Sequence, residues 1–482
     1  MKNFYVTTPI FYPTGVPHIG TAYTTFIADT LARYYRQQGY ETFFLTGTDE
    51  HGANIAKKAA EDGITPQEYV NKYADIYRSV WKDLQITNDY FVQTTNPLHE
   101  KFAQELLQKS FDNGDIYPGE YEGWYCESCE SYYTEEDLVE EKCPNHPTKT
   151  PVFTKEKNYY FKWSKYQDWL LEYYESHPDF VKPAKWFEYV KEFVKKGLKD
   201  IPVTRANVKW GIQVPFDNEQ TIYVWYDALP NYLSTLFFPE FAKKGYFDKY
   251  WKEAVHVIGK DIIKFHAILW PAMLKSAGYE VPKTVLVHGF FTINGQKIGK
   301  SNNNAINPAD LIAKYGIDAI RYALLSEFKV GNDGDFNFDR LKAKYDGDLG
   351  ANWGNLHNRI HHLAGTFGVS LSNPISINDA IVATEIQKFE ELYHEAFKKR
   401  ELFDAVQAVN ALAAFGNKYL TDKKPWETKD DKAKEVINDL VHLITKVAEL
   451  YLPILPGAAE KAQNSIKTGE KVILFPRLET KE

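Results

Sequence analysis

Apolar and polar positions alternate in two different registers along this chain. Phe4-Tyr5-Val6 is a short unbroken apolar run, the mark of a buried strand. Tyr23, Ile27, Leu31 and Tyr34 then recur at helical spacing until Gly39 stops the run. Phe43-Phe44-Leu45-Thr46-Gly47 predicts a second strand, and Thr65-Pro66 opens a helix carrying Tyr69, Tyr73, Tyr77 and Trp81. Tyr90-Phe91-Val92-Gln93 predicts a third strand, and Leu98 to Phe111 a helix ended by Asn113-Gly114. Strands separated by helices imply right-handed βαβ units and a parallel sheet. Ligands on such sheets bind beyond the carboxyl ends of the strands. Two turns belong there, Pro17-His18-Ile19-Gly20-Thr21 and Thr48-Asp49-Glu50-His51-Gly52.

From about residue 117 the alternation stops, and residues 117–213 are rich in Tyr, Trp, Glu and Lys. It returns with Ile222-Tyr223-Val224-Trp225, Val255 to Gly259 and Thr284 to Gly289, all predicted strands with helical stretches between. One α/β domain split by an insertion is the simplest account. Beyond about 345 the pattern is helical throughout, with segments near 345–366, 379–399, 401–420, 431–450 and 452–466, a bundle of about five members.

Composition changes this picture only locally. The net charge of −8 argues against a uniformly basic nucleic-acid binder, although screening leaves room for a local basic face. The 33 tyrosines predict packing dominated by large rings. There is no signal-peptide pattern and no apolar run near ~20 residues, so a cytoplasmic protein is expected. Three cysteines are too few and too clustered for a disulfide framework.

Those cysteines carry the first chemistry. Cys126-Glu127-Ser128-Cys129 and Cys143-Pro144-Asn145-His146 form a C-x2-C…C-x2-H pattern, three thiolates and one imidazole in two knuckles. That set closes a tetrahedral zinc site with no open position, so one structural Zn²⁺ per chain is expected. The His18 turn, between a strand and a helix, offers backbone N–H groups, the positive end of a helix dipole and Gly20, where a ligand can approach the backbone. From this segment alone, a phosphate-binding histidine and an ordinary surface one stand equal. Asn294 to Asn302 follows a strand and reads as a mobile loop in which Lys297 and Lys300 could close over a polyphosphate. Trp225 and Tyr232, with Phe265, His266 and Trp270 on a helix, could wall an apolar pocket with one polar tip, although core packing explains most aromatics in so aromatic a chain.

Pro17-His18-Ile19-Gly20-Thr21 resembles the HIGH signature of class I aminoacyl-tRNA synthetases, and Lys297-Ile298-Gly299-Lys300-Ser301 resembles their KMSKS signature. Val6–Thr25, Phe43–Gly52, the zinc knuckle and Val224–Tyr232 together resemble the methionine-specific family within that class, over essentially the whole chain. The resemblance implies an α/β Rossmann-like parallel-sheet catalytic domain split by a zinc-binding connective insertion and followed by an α-helical bundle for anticodon binding. The corresponding segments are 1–116 and 214–328 for the catalytic halves, 117–213 for the insertion, 329–345 for a junction and 346–482 for the bundle.

It also implies an activity: activation of L-methionine by ATP, accompanied by Mg²⁺, and transfer to the 3′-terminal adenosine of tRNA(Met). His18, Thr21, Lys297 and Lys300 would be catalytic. ATP would further meet Gly20, Gly259, Asp261, Phe291 and Ser301. Asp49 would take the substrate ammonium with the Ile10 carbonyl. Tyr12, Trp225, Ala228 and Tyr232 would enclose the side chain together with Phe265, His266 and Trp270. Cys126, Cys129, Cys143 and His146 would hold the zinc. Asn355, Arg359 and Trp426 would read the anticodon, beside a basic patch of Lys418, Lys423 and Lys424. Some family members carry an extra C-terminal dimerising domain; its absence here makes a monomer the expectation.

Each signature shows one departure. Thr21 stands where the fourth residue is His, and Ile298-Gly299 where the loop has Met-Ser. A threonine hydroxyl can still donate a hydrogen bond, and both lysines remain, so an active enzyme is expected. Two alternatives stay open. One is a class I synthetase for leucine, isoleucine, valine or cysteine. An insertion of only about a hundred residues, 117–213, is too short for a large editing domain, and a closed zinc site cannot grip a substrate thiol. The other is a degenerate module that binds tRNA without activating an amino acid.

Overall fold

The computed structural model describes residues 2–126, 131–144, 149–293, 295–298, 306–428 and 430–478, with the side chains of Ser131, Gln296 and Lys297 left aside. The chain divides into two compact units. The first comprises 1–28, 39–290 and 298–305, the second 29–38, 291–297 and 306–482.

The first unit is built on a six-stranded sheet. Its members are β1 (Asn3–Thr7), β2 (Glu41–Thr48), β3 (Tyr90–Gln93) and the later strands Ala254–Gly259, Thr284–His288 and Val181–Lys182. Spatially they run β3, β2, β1, Ala254–Gly259, Thr284–His288, Val181–Lys182, and every pairing is parallel. The order reverses between β1 and Ala254–Gly259. That reversal opens a crevice at the carboxyl ends of these two strands, the place where such sheets take ligands. Both strands are buried on both faces, as their unbroken apolar runs require.

Helix α1 (Ile19–Gln37) joins β1 to β2. Two more helices follow β2, namely α2 (Ala53–Glu61) and α3 (Pro66–Asp83), and α4 (Pro97–Asp112) follows β3. Thr65 and Glu68 form a reciprocal capping box at the start of α3, and Asn96 caps α4. The insertion forms a four-stranded sheet around the long hairpin of Ile116–Cys126 and Val152–Phe161, with Ser131–Tyr133 and Ile201–Pro202 at its edges.

Two sequence expectations fail here. Ile222-Tyr223-Val224-Trp225 is not one strand: Asp217–Ile222 is antiparallel in a small separate sheet, and a helix begins at Val224. A short apolar run fits a buried strand and a buried helical turn equally, so periodicity could not separate them. Lys297 is not in a loop. Gln296–Lys297 pairs antiparallel with Phe291–Ile293, and Gly295 before it has φ +76°. Asn-Gly is the dipeptide that two-residue hairpins favour.

The second unit holds the helices Asn355–Phe367, Ala380–Lys399, Leu402–Lys423, Asp431–Tyr451 and Pro456–Thr468, the expected bundle. It also claims the second half of α1, where Asp29 is fully buried. Arg321, equally buried, meets Asp29 at 2.8 Å and donates to the carbonyl of Ile454 and the hydroxyl of Thr30. Among the described residues no helix is long and apolar enough to cross a membrane.

A buried carboxylate deprived of its cation is strongly destabilising. Arg321→Leu should therefore lower the urea unfolding free energy by ~3–5 kcal/mol, although the ion pair of Arg33 with Asp29 remains. A loss below ~1 kcal/mol would mean that Arg33 alone compensates the buried charge.

Candidate active site

The segment after β1 stays beside β2. Thr8 and Phe11 donate backbone N–H groups to Leu45 and Gly47, and the Asp49 N–H returns to the Phe11 carbonyl at 3.0 Å. This lays Ile10 and Tyr12 alongside the half-buried Asp49. The Tyr12 hydroxyl donates to the His51 carbonyl at 3.1 Å and closes the arrangement.

His18 directly precedes α1, and its carbonyl accepts from Ala22. Its ring folds over the helix start: Nδ1 accepts from the backbone N–H of Gly20 at 3.1 Å and of Thr21 at 3.4 Å. This corrects the expectation that these amides point outward to an anion; the histidine's own ring takes two of them. The ring is thereby fixed in one tautomer, with the proton on Nε2. Gly20 is needed for a different reason than expected, because a Cβ there would come within 3.0 Å of the His18 ring. At the neighbouring strand, Gly259 ends Ala254–Gly259, and a Cβ on it would lie 2.7 Å from the Asp261 carboxylate. His18, Gly259 and Asp261 thus all belong to loops leaving the two strands that flank the reversal.

Four of the predicted pocket residues, Trp225, Phe265, His266 and Tyr232, come into contact. Trp225 stacks on Phe265 at 3.8 Å with rings 5° from parallel. The Tyr232 hydroxyl sits 2.8 Å from His266 Nε2, and His266 Nδ1 lies 3.0 Å from the Ile262 carbonyl. A carbonyl only accepts, so Nδ1 carries the proton and Nε2 accepts from Tyr232. Burial pushes the His266 pKa down to about 4, so the ring is neutral. The expected polar tip is therefore satisfied inside the protein, and the walls present aromatic faces. Phe265–Leu269 is a π-helical turn that runs into Trp270–Ser276. Trp270 packs edge-on to Trp251 at 6.2 Å, and Ala228 is buried with its carbonyl taken by Asn231.

Sequence reasoning missed the buried polar frame behind this pocket. His51 Nδ1 lies 2.7 Å from one oxygen of Asp227, and His99 Nε2 lies 3.0 Å from the other. His99 Nδ1 then accepts from Ser234 at 2.9 Å. Burial alone would lower the His51 pKa, but the Asp227 carboxylate, aided by Glu100 and Glu50, outweighs it and the net shift is upward. Burial would raise the Asp227 pKa, and the two imidazoles bring it below the usual carboxylate value instead. One signal was available: Asp227 is the only charged residue in the aromatic run Tyr223 to Leu229, and a charge so placed is buried only when paired.

Phe291 is in the second unit, buried against Phe328 with ring centroids 4.7 Å apart. Lys297 is in the strand pair already described, and Lys300 and Ser301 lie outside the described residues. So do Cys129 and His146, half of the zinc pattern. Cys126 and Cys143 are described, and both are buried, at 2% and 0% exposure. Among the described residues no cluster of three potential ligands is complete. Two thiols buried near the end of a polar insertion, in a C-x2-C…C-x2-H pattern, fit a closed zinc site.

In the bundle, the Arg359 guanidinium lies 5.8 Å from the centroid of the exposed Trp426 ring, so these two predicted residues meet. Asn355 is exposed on the same helix as Arg359, while His357 between them is buried. The expected basic patch is weaker than the sequence suggests, because Lys423 pairs with Asp379 at 3.1 Å and Lys424 with Glu427 at 3.4 Å.

Family comparisons agree with this geometry. Residues 4–150 and 146–361 match the family model described as tRNA synthetases class I (M), and residues 372–478 match the anticodon binding domain of methionyl tRNA ligase. A split parallel sheet with a histidine turn at its order reversal is thus that of a class I tRNA synthetase. The chain is 41% identical to the methionine–tRNA ligase of Thermotoga maritima, covering 97% of this chain and 76% of that one. It is 39% identical to that of Thermosynechococcus vestitus, covering 95% and 89%. Mycobacterium tuberculosis methionyl-tRNA synthetase in complex with methionyl-adenylate superposes with a TM-score of 0.92 at 32% identity, covering 99% of this chain and 100% of that one. Its apo form gives 0.85 at 29% identity, covering 99% of each. The chain belongs to the methionyl-tRNA ligase family.

The raised His51 pKa fixes a pH dependence. A group whose folded pKa exceeds its unfolded value, ~6.5 for histidine, stabilises fully below that value and loses the contribution as pH rises through the folded pKa. His51→Asn keeps a donor near the Nδ1 position but does not titrate. The deficit of this variant in urea unfolding should be greatest at pH 6, ~1.5–3 kcal/mol, and shrink toward pH 9. A deficit that stays flat from pH 6 to 9 would mean that no cationic His51 faces Asp227.

Proposed function

We propose that this chain is a methionine–tRNA ligase that carries out both half-reactions at the crevice beside β1. In the first, the methionine carboxylate attacks the α-phosphorus of ATP, the bond to the bridging oxygen breaks, and pyrophosphate leaves with its charge. In the second, the 3′-terminal adenosine hydroxyl of tRNA(Met) attacks the carbonyl of methionyl-adenylate and AMP leaves. The attacking carboxylate is already ionised, so the first step needs alignment and charge neutralisation rather than a general base.

The observation that best supports the substrate is the cluster of Trp225, Phe265, Tyr232 and His266, aromatic on its faces and with the Tyr232 and His266 polar atoms bonded within the protein. Such walls suit an uncharged thioether, with sulfur–aromatic contacts worth ~0.3–1.5 kcal/mol each. Asp49, supported by the backbone bond to Phe11, would hold the ammonium with the Ile10 carbonyl. His18, its tautomer set by the Gly20 and Thr21 amides, would donate from Nε2 to a phosphate oxygen. Thr21 would line the same turn. Lys297 and Lys300 would neutralise the departing pyrophosphate, with Ser301 beside them. Gly259 and Asp261 would hold the ribose, and Phe291 would meet adenine through its backbone. Mg²⁺ bound with ATP supplies charge neutralisation of the phosphates.

Cys126, Cys129, Cys143 and His146 would hold one Zn²⁺ that stabilises the insertion. Arg359 and Trp426, with Asn355 nearby, would read the anticodon, an unpaired base stacking on the indole for ~1–3 kcal/mol. The residues 1–116, 117–213, 214–328, 329–345 and 346–482 would divide the work between catalytic halves, insertion, junction and anticodon bundle, with Val181–Lys182 from within 117–213 completing the catalytic sheet. The protein would act in the cytoplasm, where translation consumes its product.

Amino-acid-dependent pyrophosphate exchange tests the reading. Exchange with methionine and not leucine is the expected result. Exchange with a different amino acid alone would make it another class I synthetase, and no exchange would leave a tRNA-binding module. Lys300→Ala should lower exchange by ~10²-fold or more while tRNA binding persists, as for loss of one charge-stabilising group. Trp426→Ala should weaken tRNA selection ~5–100-fold and leave exchange intact. Metal analysis should return one zinc per chain; none would remove the knuckle assignment.

A further inference from the structure

The His51–Asp227–His99–Ser234 chain is buried, and no step of the proposed reaction uses it. It joins four elements: the turn after β2, the helix Val224–Ala228, α4 and the helix Asn231–Ser234. Val224–Ala228 is only five residues long, too short to be stable by itself, so its position is set by what anchors it. Its residues divide by role. Trp225 and Ala228 belong to the pocket wall. Between them, the Tyr226 hydroxyl bonds Ser110 on α4 at 2.8 Å, and the Asp227 carboxylate binds His99 on α4 and His51 on the turn.

The turn is held from its other side as well. Asp49, the proposed ammonium ligand, is two residues before His51. The His51 carbonyl accepts from Tyr12, and its ring packs against Trp210 with centroids 5.5 Å apart. The Trp210 indole donates to the Glu50 carbonyl at 2.7 Å. Glu50 is fully buried and accepts from Thr48 at 2.6 Å and Gln93 at 3.0 Å. Three parts of the amino-acid pocket, Tyr12, Asp49 and the Trp225–Ala228 wall, are thus linked through His51 and Asp227.

We infer that Asp227 is a positioning residue for amino-acid binding: by accepting from His51 and His99 with its two oxygens, it fixes the distance between the ammonium site at Asp49 and the side-chain wall at Trp225. The inference rests on the functional reading above and adds to it a residue that touches no substrate. Hydrogen-bond chemistry sets the polarity of the chain. A carboxylate only accepts, so both imidazoles donate to it, and His99 Nδ1 accepts from Ser234. Asparagine at 227 offers one acceptor and one donor, so one of the two imidazoles loses its partner. The pocket wall and the ammonium site are then free to shift, while the loops that take ATP keep their supports.

The test is pyrophosphate exchange by the full chain, with KM measured separately for methionine and ATP. Asp227→Asn should raise the KM for methionine about tenfold or more, in line with the cost of misplacing a bound group, and change the KM for ATP less than about twofold. His99 supplies an independent pair. Glutamine can place an amide donor near the Nε2 position, so His99→Gln should keep the KM for methionine near wild type, whereas His99→Ala should raise it. The His99 pair decides the matter should Asp227→Asn not fold. An unchanged KM for methionine in folded Asp227→Asn or His99→Ala, with only the melting temperature lowered, would overturn the inference while wild-type exchange with methionine stands. Absence of wild-type exchange with methionine would instead overturn the functional reading, and this inference with it.

Discussion

A carboxylate with no solvent exposure costs several kcal/mol unless its oxygens are satisfied, and that requirement at Asp227 governs the first unit's binding face. Its partners are 176 and 128 residues away in sequence, so satisfying them brings the β2 turn and α4 to one place. The short helix that carries Trp225 has no independent stability and goes where Asp227 goes. Ser234, at the far end of the chain of bonds, ties in the helix that carries Tyr232. The aromatic pocket is therefore a consequence of a polar frame behind it. The same logic recurs in the second unit, where the buried pair of Asp29 and Arg321 binds the second half of α1 to the segment around Ile454.

A separate set of buried hydrogen bonds takes up the polar atoms of Tyr232 and His266. His266 spends its proton on the Ile262 carbonyl and its lone pair on the Tyr232 hydroxyl. Neutralised by burial, it adds no charge. Tyr232 is itself held by Tyr5, whose hydroxyl donates to the Tyr232 carbonyl at 2.7 Å, and its ring stacks on His256 at 4.2 Å. Tyr232 and His266 thus spend their polar atoms within the protein, while the indole N–H groups of Trp225 and Trp270 are buried without a hydrogen-bond partner among the described residues. Selectivity in such a site comes from shape and dispersion, which discriminate single methylenes by only ~1–3 kcal/mol.

What the sequence made legible follows from the range of the physics involved. β3 at Tyr90–Gln93 and α4, closed by Asn113-Gly114, are local patterns and were readable residue by residue. The run Ile222 to Trp225 was ambiguous because both of its possible structures bury the same side chains. The pairing of Gln296–Lys297 with Phe291–Ile293 had a readable signal in the Asn-Gly dipeptide of the sequence between them, but the surrounding turn formers suggested a loop. An apolar pocket of Trp225, Tyr232, Phe265, His266 and Trp270 was one reading of the residues, and only the resemblance set it above core packing, since stacking of Trp225 on Phe265 is not encoded by spacing. His99 was not legible at all: it is a buried residue in the first turn of α4, and only the folded chain shows Asp227 opposite it. The ring of His18 folding onto its own helix depends on a rotamer, which no pattern of residue types reveals.

The central claim is that the side-chain pocket recognises its substrate through aromatic faces rather than through a hydrogen bond to the thioether sulfur. Replacing the thioether sulfur of methionine by a methylene, as in norleucine, tests it directly in the exchange reaction. The account predicts that kcat/KM for norleucine falls by no more than about tenfold, the loss of a sulfur–aromatic contribution of ~0.3–1.5 kcal/mol. A fall of ~10⁴-fold, the size expected when a site built around a hydrogen bond loses its partner, would contradict it.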